Sequence, residues 1–329
     1  MGRKKRRGKS GTAFVAALGV AMASFPAFAG TTLVVGKAVA TNPSMMAVNV
    51  GDQVGFFKKH GLDLKIVNFG GGARMVQALT AGSIDIGIAD GTTMLFVAKG
   101  VPMLAVCEST TTLPFSVGVP WDSPLKSLSE LKGKKIGVSN PGTLTDWLAQ
   151  ELARKEDWGP DGVTRVFIGS GVTASSAAFR AHQIDAYIGG TTSFLAEEEK
   201  QAGRVLAPVS DFVDKMASGT LFASTHLIET DPKALRAFLA AWTDTSGFIL
   251  THKDETVRTW IEVSGFPASV MAKEYDLVKG MFNRDCRFDR ESLANLRRSF
   301  IELKLVDEPP DMAKLYTEAY LPSSSATAK

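Results

Sequence analysis

Apolar residues in this chain gather in short runs of strand length, and most runs end in a glycine-rich turn followed by residues at helical spacing. Residues 32–36 read as a strand, and a loop through Thr41-Asn42-Pro43-Ser44 leads to a helix over 45–60 that Gly61 closes. A strand over 64–69, the turn Gly70-Gly71-Gly72 and a helix over 73–80 come next, then a buried strand over 101–107. The pattern restarts with a strand over 134–139, the turn Asn140-Pro141-Gly142-Thr143, and a helix over 144–155 whose first turn holds Thr145 and Asp146. A strand over 163–168, the turn Gly169-Ser170-Gly171 and a helix over 172–180 repeat the same unit. Strands alternating with helices predict an α/β protein built on parallel sheets.

One segment occurs twice. Ala81-Gly82-Ser83-Ile84-Asp85-Ile86-Gly87-Ile88-Ala89-Asp90-Gly91-Thr92-Thr93 is matched by Ala181-His182-Gln183-Ile184-Asp185-Ala186-Tyr187-Ile188-Gly189-Gly190-Thr191-Thr192. Each copy follows a strand, a turn and a helix, so two doubly wound lobes of like construction are expected to face each other across a ligand cleft. Lobe I takes residues 30–118 and 211–322, the latter starting with a strand over 219–224 that returns to it; lobe II takes 119–210. Asp231-Pro232 starts a helix with Leu235, Phe238, Leu239 and Trp242 on its core face. Further helices are predicted over 267–279 and over 290–305; the second follows Asp289 and buries Leu293, Leu296 and Phe300. Residues 323–329 form a polar tail expected to be disordered.

Composition changes this picture at the amino end. Arg3-Lys4-Lys5-Arg6-Arg7 and Lys9, an apolar run over 12–24 and Ala27-Phe28-Ala29 make residues 1–29 a cleavable secretory signal peptide. The apolar run falls short of the roughly 20 residues of a membrane span. Arg6-Arg7 precedes Gly-Lys-Ser rather than apolar residues, so ordinary export is expected. No Cys stands at the cleavage point to carry a lipid. Taking the leader's six basic residues from the 37 in the chain leaves 31 against 34 acidic ones, a net of −3. That balance removes the electrostatic motive for nucleic-acid binding. Cys107 and Cys286 form no CxxC motif; a disulfide is open to them in an oxidising compartment, but buried apolar cysteines are the more common outcome.

Ligands of open α/β sheets settle beyond the carboxyl ends of strands, where helix N-termini leave N–H groups free. The candidates are Thr41, Asn42 and Ser44; Gly71, Gly72 and Arg74; Asp90, Gly91 and Thr92; Ser139, Asn140, Gly142 and Thr143; Gly171; and Gly190 and Thr191. Glycines admit close backbone approach, hydroxyls donate, and helix N-termini favour an acidic ligand. Tight packing alone also asks for glycine in such turns. Arg74 fits either an ion pair with the ligand or simple solvation, Asp90 either a ligand amine or a helix cap, and Trp147 is read as core rather than as a stacking platform. Gly169-Ser170-Gly171-Val172-Thr173-Ala174 matches the dinucleotide fingerprint, yet Asp185 precedes its strand, where the ribose-binding acid should follow one. GxxxxGK[ST], G-x-S-x-G and H-E-x-x-H are all absent, and the four histidines are scattered.

Gly55-Phe56-Phe57-Lys58-Lys59-His60-Gly61-Leu62-Asp63, Phe69-Gly70-Gly71-Gly72, Val76-Gln77-Ala78-Leu79, Ile84-Asp85-Ile86-Gly87 and Leu131-Lys132-Gly133-Lys134-Lys135-Ile136-Gly137-Val138 together resemble the nitrate/sulfonate/taurine type of periplasmic solute-binding protein. The resemblance covers roughly residues 33–203. It implies a type II periplasmic-binding fold, a small-molecule ligand, no cofactor and no catalysis, a monomer in the periplasm, and delivery to an ABC permease at the inner membrane. Family ligands include nitrate-like or bicarbonate anions, alkyl sulfonates, taurine and pyrimidine precursors of thiamin. After the first strand this chain has Lys37-Ala38-Val39-Ala40, where the family usually has an aromatic residue or Gln. The eukaryotic thiamin-pyrimidine synthases resemble the same family but work with a Cys-rich iron motif, whereas this chain has two distant cysteines. A ligand-sensing role at a receptor is the other alternative. Closure is expected to hinge near residues 108–118 and 211–219.

Overall fold

The first sheet starts from the runs read above: β1 (Thr31–Lys37), β2 (Leu62–Asn68), β3 (Ile86–Asp90) and β4 (Met103–Thr110), interleaved with α1 (Pro43–Val54), α2 (Phe56–Lys59), α3 (Gly72–Thr80) and α4 (Met94–Ala98). The second holds β5 (Phe115–Pro120), β6 (Lys135–Val138), β7 (Thr164–Phe167), β8 (Ala186–Gly190) and β9 (Gly203–Pro208), with α5 (Leu144–Lys155), α6 (Val172–Arg180) and α7 (Thr191–Glu198). β10 (Gly219–Ser224) rejoins the first sheet, and α8 (Thr225–Thr230), α9 (Pro232–Thr251), α10 (Lys253–Ser264), α11 (Ala268–Val278) and α12 (Arg290–Glu302) complete the fold. This computed structural model describes residues 1–2, 30–159, 161–169 and 172–323. Residues 3–29 of the expected leader, Gly171, and residues 324–329 of the expected tail lie outside the described residues.

The strand orders are β2-β1-β3-β10-β4 and β7-β6-β8-β5-β9, one plan used twice. Each sheet is mixed rather than wholly parallel: β10 runs antiparallel to β3 and β4, and β5 antiparallel to β8 and β9. The reason is topological, since each of these strands enters from the other sheet. The chain passes between sheets through residues 111–114 and again through 209–218, so the first lobe boundary falls before β5 rather than after residue 118 as expected.

The repeated segment builds the same joint in both sheets. Asp85 Oδ2 accepts from the Val34 N–H at 2.8 Å, and Asp185 Oδ2 from the Lys135 N–H at 2.8 Å. The following strand is pinned beside the first by the return bonds, from the Asp85 and Asp185 N–H groups to the Val34 and Lys135 carbonyls, also at 2.8 Å. Glycine is needed underneath: a Cβ on Gly36 would stand 2.5 Å from Ile84 Cδ1, and one on Gly137 2.8 Å from Ile184 Cδ1. The Ile-Asp half of the repeat is therefore a packing device, and only its far end reaches the strand mouths.

Two local expectations change as well. The helix predicted over 45–60 is broken at Gly55, whose φ of 86° ends α1 in a left-handed cap before α2 begins. The cysteines are not free: Cys107 and Cys286 are joined in a disulfide, with Cα atoms 4.6 Å apart. β4 is an outer strand, and the segment before α12 lies along it. The Glu108 N–H donates to the Cys286 carbonyl at 3.0 Å, and Asn283 Nδ2 donates to the Glu108 carbonyl at 2.8 Å. Such covering satisfies an edge that would otherwise offer free backbone groups. Trp147, Trp242 and Trp260 are fully buried. The core reading of Trp147 holds, and its Nε1–H donates to Glu302 on α12 at 2.6 Å.

Candidate functional site

On the first sheet, three loops meet where β1, β2 and β3 end. Asn42 caps α1, its Oδ1 accepting from the Ser44 N–H at 3.0 Å and the Ser44 hydroxyl at 2.7 Å, so those polar groups are turned inward. Lys37 is buried, and its ammonium donates to the Ala40 carbonyl at 3.0 Å and to Asn49 Oδ1 at 2.7 Å, stapling residues 38–41 to α1. Burial lowers that ammonium to about 8. The Gly71 N–H donates to the Ala38 carbonyl at 2.9 Å, and its φ of 132° is what asks for glycine, because a Cβ there would touch nothing. A Cβ on Gly72 would lie 3.1 Å from the Thr93 hydroxyl, which joins the second loop to the third. Arg74 is exposed above Gly70, without an ion pair among the described residues. The Gly91 N–H donates to the Ser218 carbonyl at 3.0 Å, tying the third loop to the crossing.

The second sheet does the same with fewer loops. The Ser139 N–H donates to Thr145 Oγ1 at 2.9 Å, Thr143 Oγ1 donates to the Asn140 carbonyl at 2.7 Å, and the Gly142 N–H donates to Asp146 Oδ2 at 2.9 Å. Thr145 and Asp146 thus brace the loop before their helix, with Arg165 holding Asp146 from β7. The Gly169 N–H donates to the Ser139 carbonyl at 2.9 Å, which brings the β6 and β7 loops together. Gly190 faces open space. Thr191 is committed elsewhere: its buried hydroxyl is 2.8 Å from that of Ser116 on β5, and it lines a small pocket at the crossing with Val278 and Met281. Thr192 donates to Glu274 of α11.

The structure adds residues that the strand-end reasoning passed over. Gly219 of β10 pairs with Asp90 and lies against Ser109 and Thr110 of β4. Only the swapped strand brings them there. Asp90 starts a short helical turn but makes no capping bond with its side chain, so the cap reading fails. Asp90 keeps part of its surface exposed, but its Oδ1 is shut off from solvent with no hydrogen-bond partner, and burial raises the carboxyl to about 6. No group of three or more His, Cys, Asp or Glu placed to hold a metal exists among the described residues.

The family model described as NMT1/THI5 like matches residues 42–256. The chain belongs to that family. A binding protein of Brucella abortus is 30% identical over 210 residues, covering 63% of this chain; the chain spans 64% of that relative's length. The 4-amino-5-hydroxymethyl-2-methylpyrimidine phosphate synthase THI11 of Saccharomyces cerevisiae is 25% identical over 300 residues, covering 85% of this chain and 84% of the yeast one. The crystal structure of the periplasmic aliphatic sulphonate binding protein SsuA from Escherichia coli superposes with a TM-score of 0.69 at 19% identity, covering 87% of this chain and 92% of that one. The NMT1/THI5-like chain therefore has the periplasmic-binding-protein fold.

Proposed function

We propose that this NMT1/THI5-like protein is the solute-binding component of an ABC importer, working in the periplasm and closing its lobes on a small organic anion or related solute of sulfonate, taurine, nitrate or thiamin-pyrimidine type. The observation that carries this reading is the doubled sheet. Both copies end their parallel strands in loops rich in glycine and hydroxyls, and among the described residues the chain passes between the sheets twice. The loop amides named above are held by internal acceptors, but the first turns of α3 and α5, which have no side-chain cap at Gly71 and Thr143, offer N–H groups that suit an anion, and residues 111–114 and 209–218 supply the hinge. Closure expels water and strengthens each bond to the solute. The Brucella relative's name and the sulfonate-binding structure support a carrier; the ABC permease is the partner such a carrier requires.

The synthase alternative finds less support. Cys107 and Cys286 are bonded to one another and buried, leaving neither thiolate to hold iron. Solution scattering on the protein with and without a binder found by thermal shift tests the proposal. A solute at a hundred times its dissociation constant adds about 2.7 kcal/mol, so true ligands stand out in the screen. Compaction on binding is expected. An unchanged radius with every tight binder, or turnover of the solute by the purified protein, overturns the reading.

A further inference from the structure

Position 90 is where the two copies part. Up to it they run in step: Asp85 matches Asp185, and the residue just beyond donates its N–H to the crossing in both, Gly91 to the Ser218 carbonyl and Thr191 to the Pro114 carbonyl, each at 3.0 Å. At the end of β8 stands Gly190, opposite Phe115, where a Cβ would meet nothing within 4 Å. The fold therefore asks for no side chain at this place. The first sheet nevertheless puts a carboxylate there, opposite Gly219.

Gly219, which faces Asp90 across the sheet, is packed among small and hydroxyl-bearing residues. A Cβ on Gly219 would stand 2.6 Å from Ser109 Oγ, 2.7 Å from Thr110 Oγ1 and 2.9 Å from Ser44 Cβ. Thr110 Oγ1 accepts from the Gly219 N–H at 2.5 Å, but Ser109 Oγ, like Asp90 Oδ1, is buried without a partner. The buried ammonium on β1 does not relieve it, because Lys37 is spent on Ala40 and Asn49. A buried carboxylate oxygen with no donor weakens the empty protein, and burial raising its proton affinity to about 6 is the same penalty seen another way. Such a group is worth keeping when a donor arrives from outside.

Resting on the solute-binding reading, we propose that Asp90 is the specificity-determining residue of the cleft, its unpartnered oxygen receiving an N–H donor of the solute, an amine or a ring amino group. The solute class is then one that carries an amino group as well as the portion held by the first-turn amides. A simple anion has nothing to give this oxygen and meets like charge.

Matched pairs of probes test the assignment by calorimetry and thermal shift: 2-aminoethanesulfonate against ethanesulfonate, and 4-amino-2-methylpyrimidine against 2,4-dimethylpyrimidine. For at least one pair the amino member should bind about tenfold tighter or more, as expected for a charge-assisted bond; Asp90→Asn, whose carbonyl still accepts but carries no charge, should weaken that preference and Asp90→Gly should erase it. Both variants without ligand should melt no lower than the natural protein, since Gly190 shows that the joint tolerates a bare backbone. A variant that melts well below it makes Asp90 a structural residue and overturns the assignment. So does equal binding within both pairs, a preference that survives Asp90→Gly, or binding by neither amino member. Equal binding within a pair, accompanied by compaction in scattering, leaves the carrier reading standing; binding without compaction counts against that reading alone.

Discussion

The outer strands of the two sheets, β4 and β9, hold the same place in one topology but live in different surroundings. β4 is buried along nearly all its length, whereas four of the six residues of β9 are partly exposed. The difference comes from the end of the chain. Residues around Cys286 lie along β4, Phe282 and Tyr316 make isolated bridges to Thr110 and Ala105, and the disulfide locks the arrangement. A shared plan thus sets where strands go, while the added C-terminal segment decides which of them is protected. The same helices also reach the second lobe, through Trp147–Glu302 and the Arg298–Glu151 pair on α12 and α5, and through Thr192–Glu274 on α7 and α11.

Removing the staple should have the largest effect. The disulfide closes a loop of 179 residues, so Cys107→Ala with Cys286→Ala is expected to cost about 2–5 kcal/mol in urea unfolding. Amide exchange should quicken in β4 and change little in β9. Equal quickening in both strands would mean that the disulfide supports the whole molecule rather than one sheet.

A smaller effect comes from the acid beside it. Glu108 is fully buried on β4, with Oε2 accepting from the Asp289 N–H at 2.7 Å, and burial lifts its carboxyl from 4.5 to about 7. Between those values the native carboxyl keeps a proton that the unfolded chain gives up. Stability is therefore full below about 4.5 and is lost as pH rises through about 7, by on the order of 3 kcal/mol. Urea midpoints at pH 4.5 and 7.5 should show this fall, and Glu108→Gln should make it shallower; an unchanged slope would place the burden on Glu274 or Asp90, which burial also raises, to about 7 and about 6.

The finest contrast lies in the turn after α3 and after α6. Gly82 and His182 occupy it with φ of 69° and 52°, and each donates its N–H back to its helix, to Leu79 and Phe179. A left-handed backbone suits glycine and strains histidine. His182→Gly should raise stability by about 0.5 kcal/mol and Gly82→His lower it by about 1 kcal/mol, read from thermal midpoints. Opposite signs would show that His182 makes a contact worth more than its backbone strain.

Much of the architecture was legible because local chemistry decided it. The helices over 144–155 and 172–180 and the strand over 219–224 fall where the periodicity put them, and Asp231 and Asp289 cap their helices as their positions imply. The strand-end loops of each lobe were legible too, since a turn that needs left-handed or unhindered backbone at Gly71 or Gly142 announces itself in composition. Less was legible about what their polar atoms do. Asn42 and Ser44 satisfy one another, Thr191 turns to Ser116, and Thr145 and Asp146 hold a loop, because each hydroxyl takes whichever partner the assembled backbone brings within reach.

By itself the amino-acid sequence determined that there are two lobes of one kind, since alternation, glycine turns and a repeated Ile-Asp segment act over a few residues and need no distant partner. Only the tertiary structure decided the place of β5 in the second sheet, the pairing of Cys107 with Cys286, and the unpartnered oxygen of Asp90. Those depend on which segments far apart in sequence come to lie side by side, and that follows from burying both lobes and the C-terminal helices together.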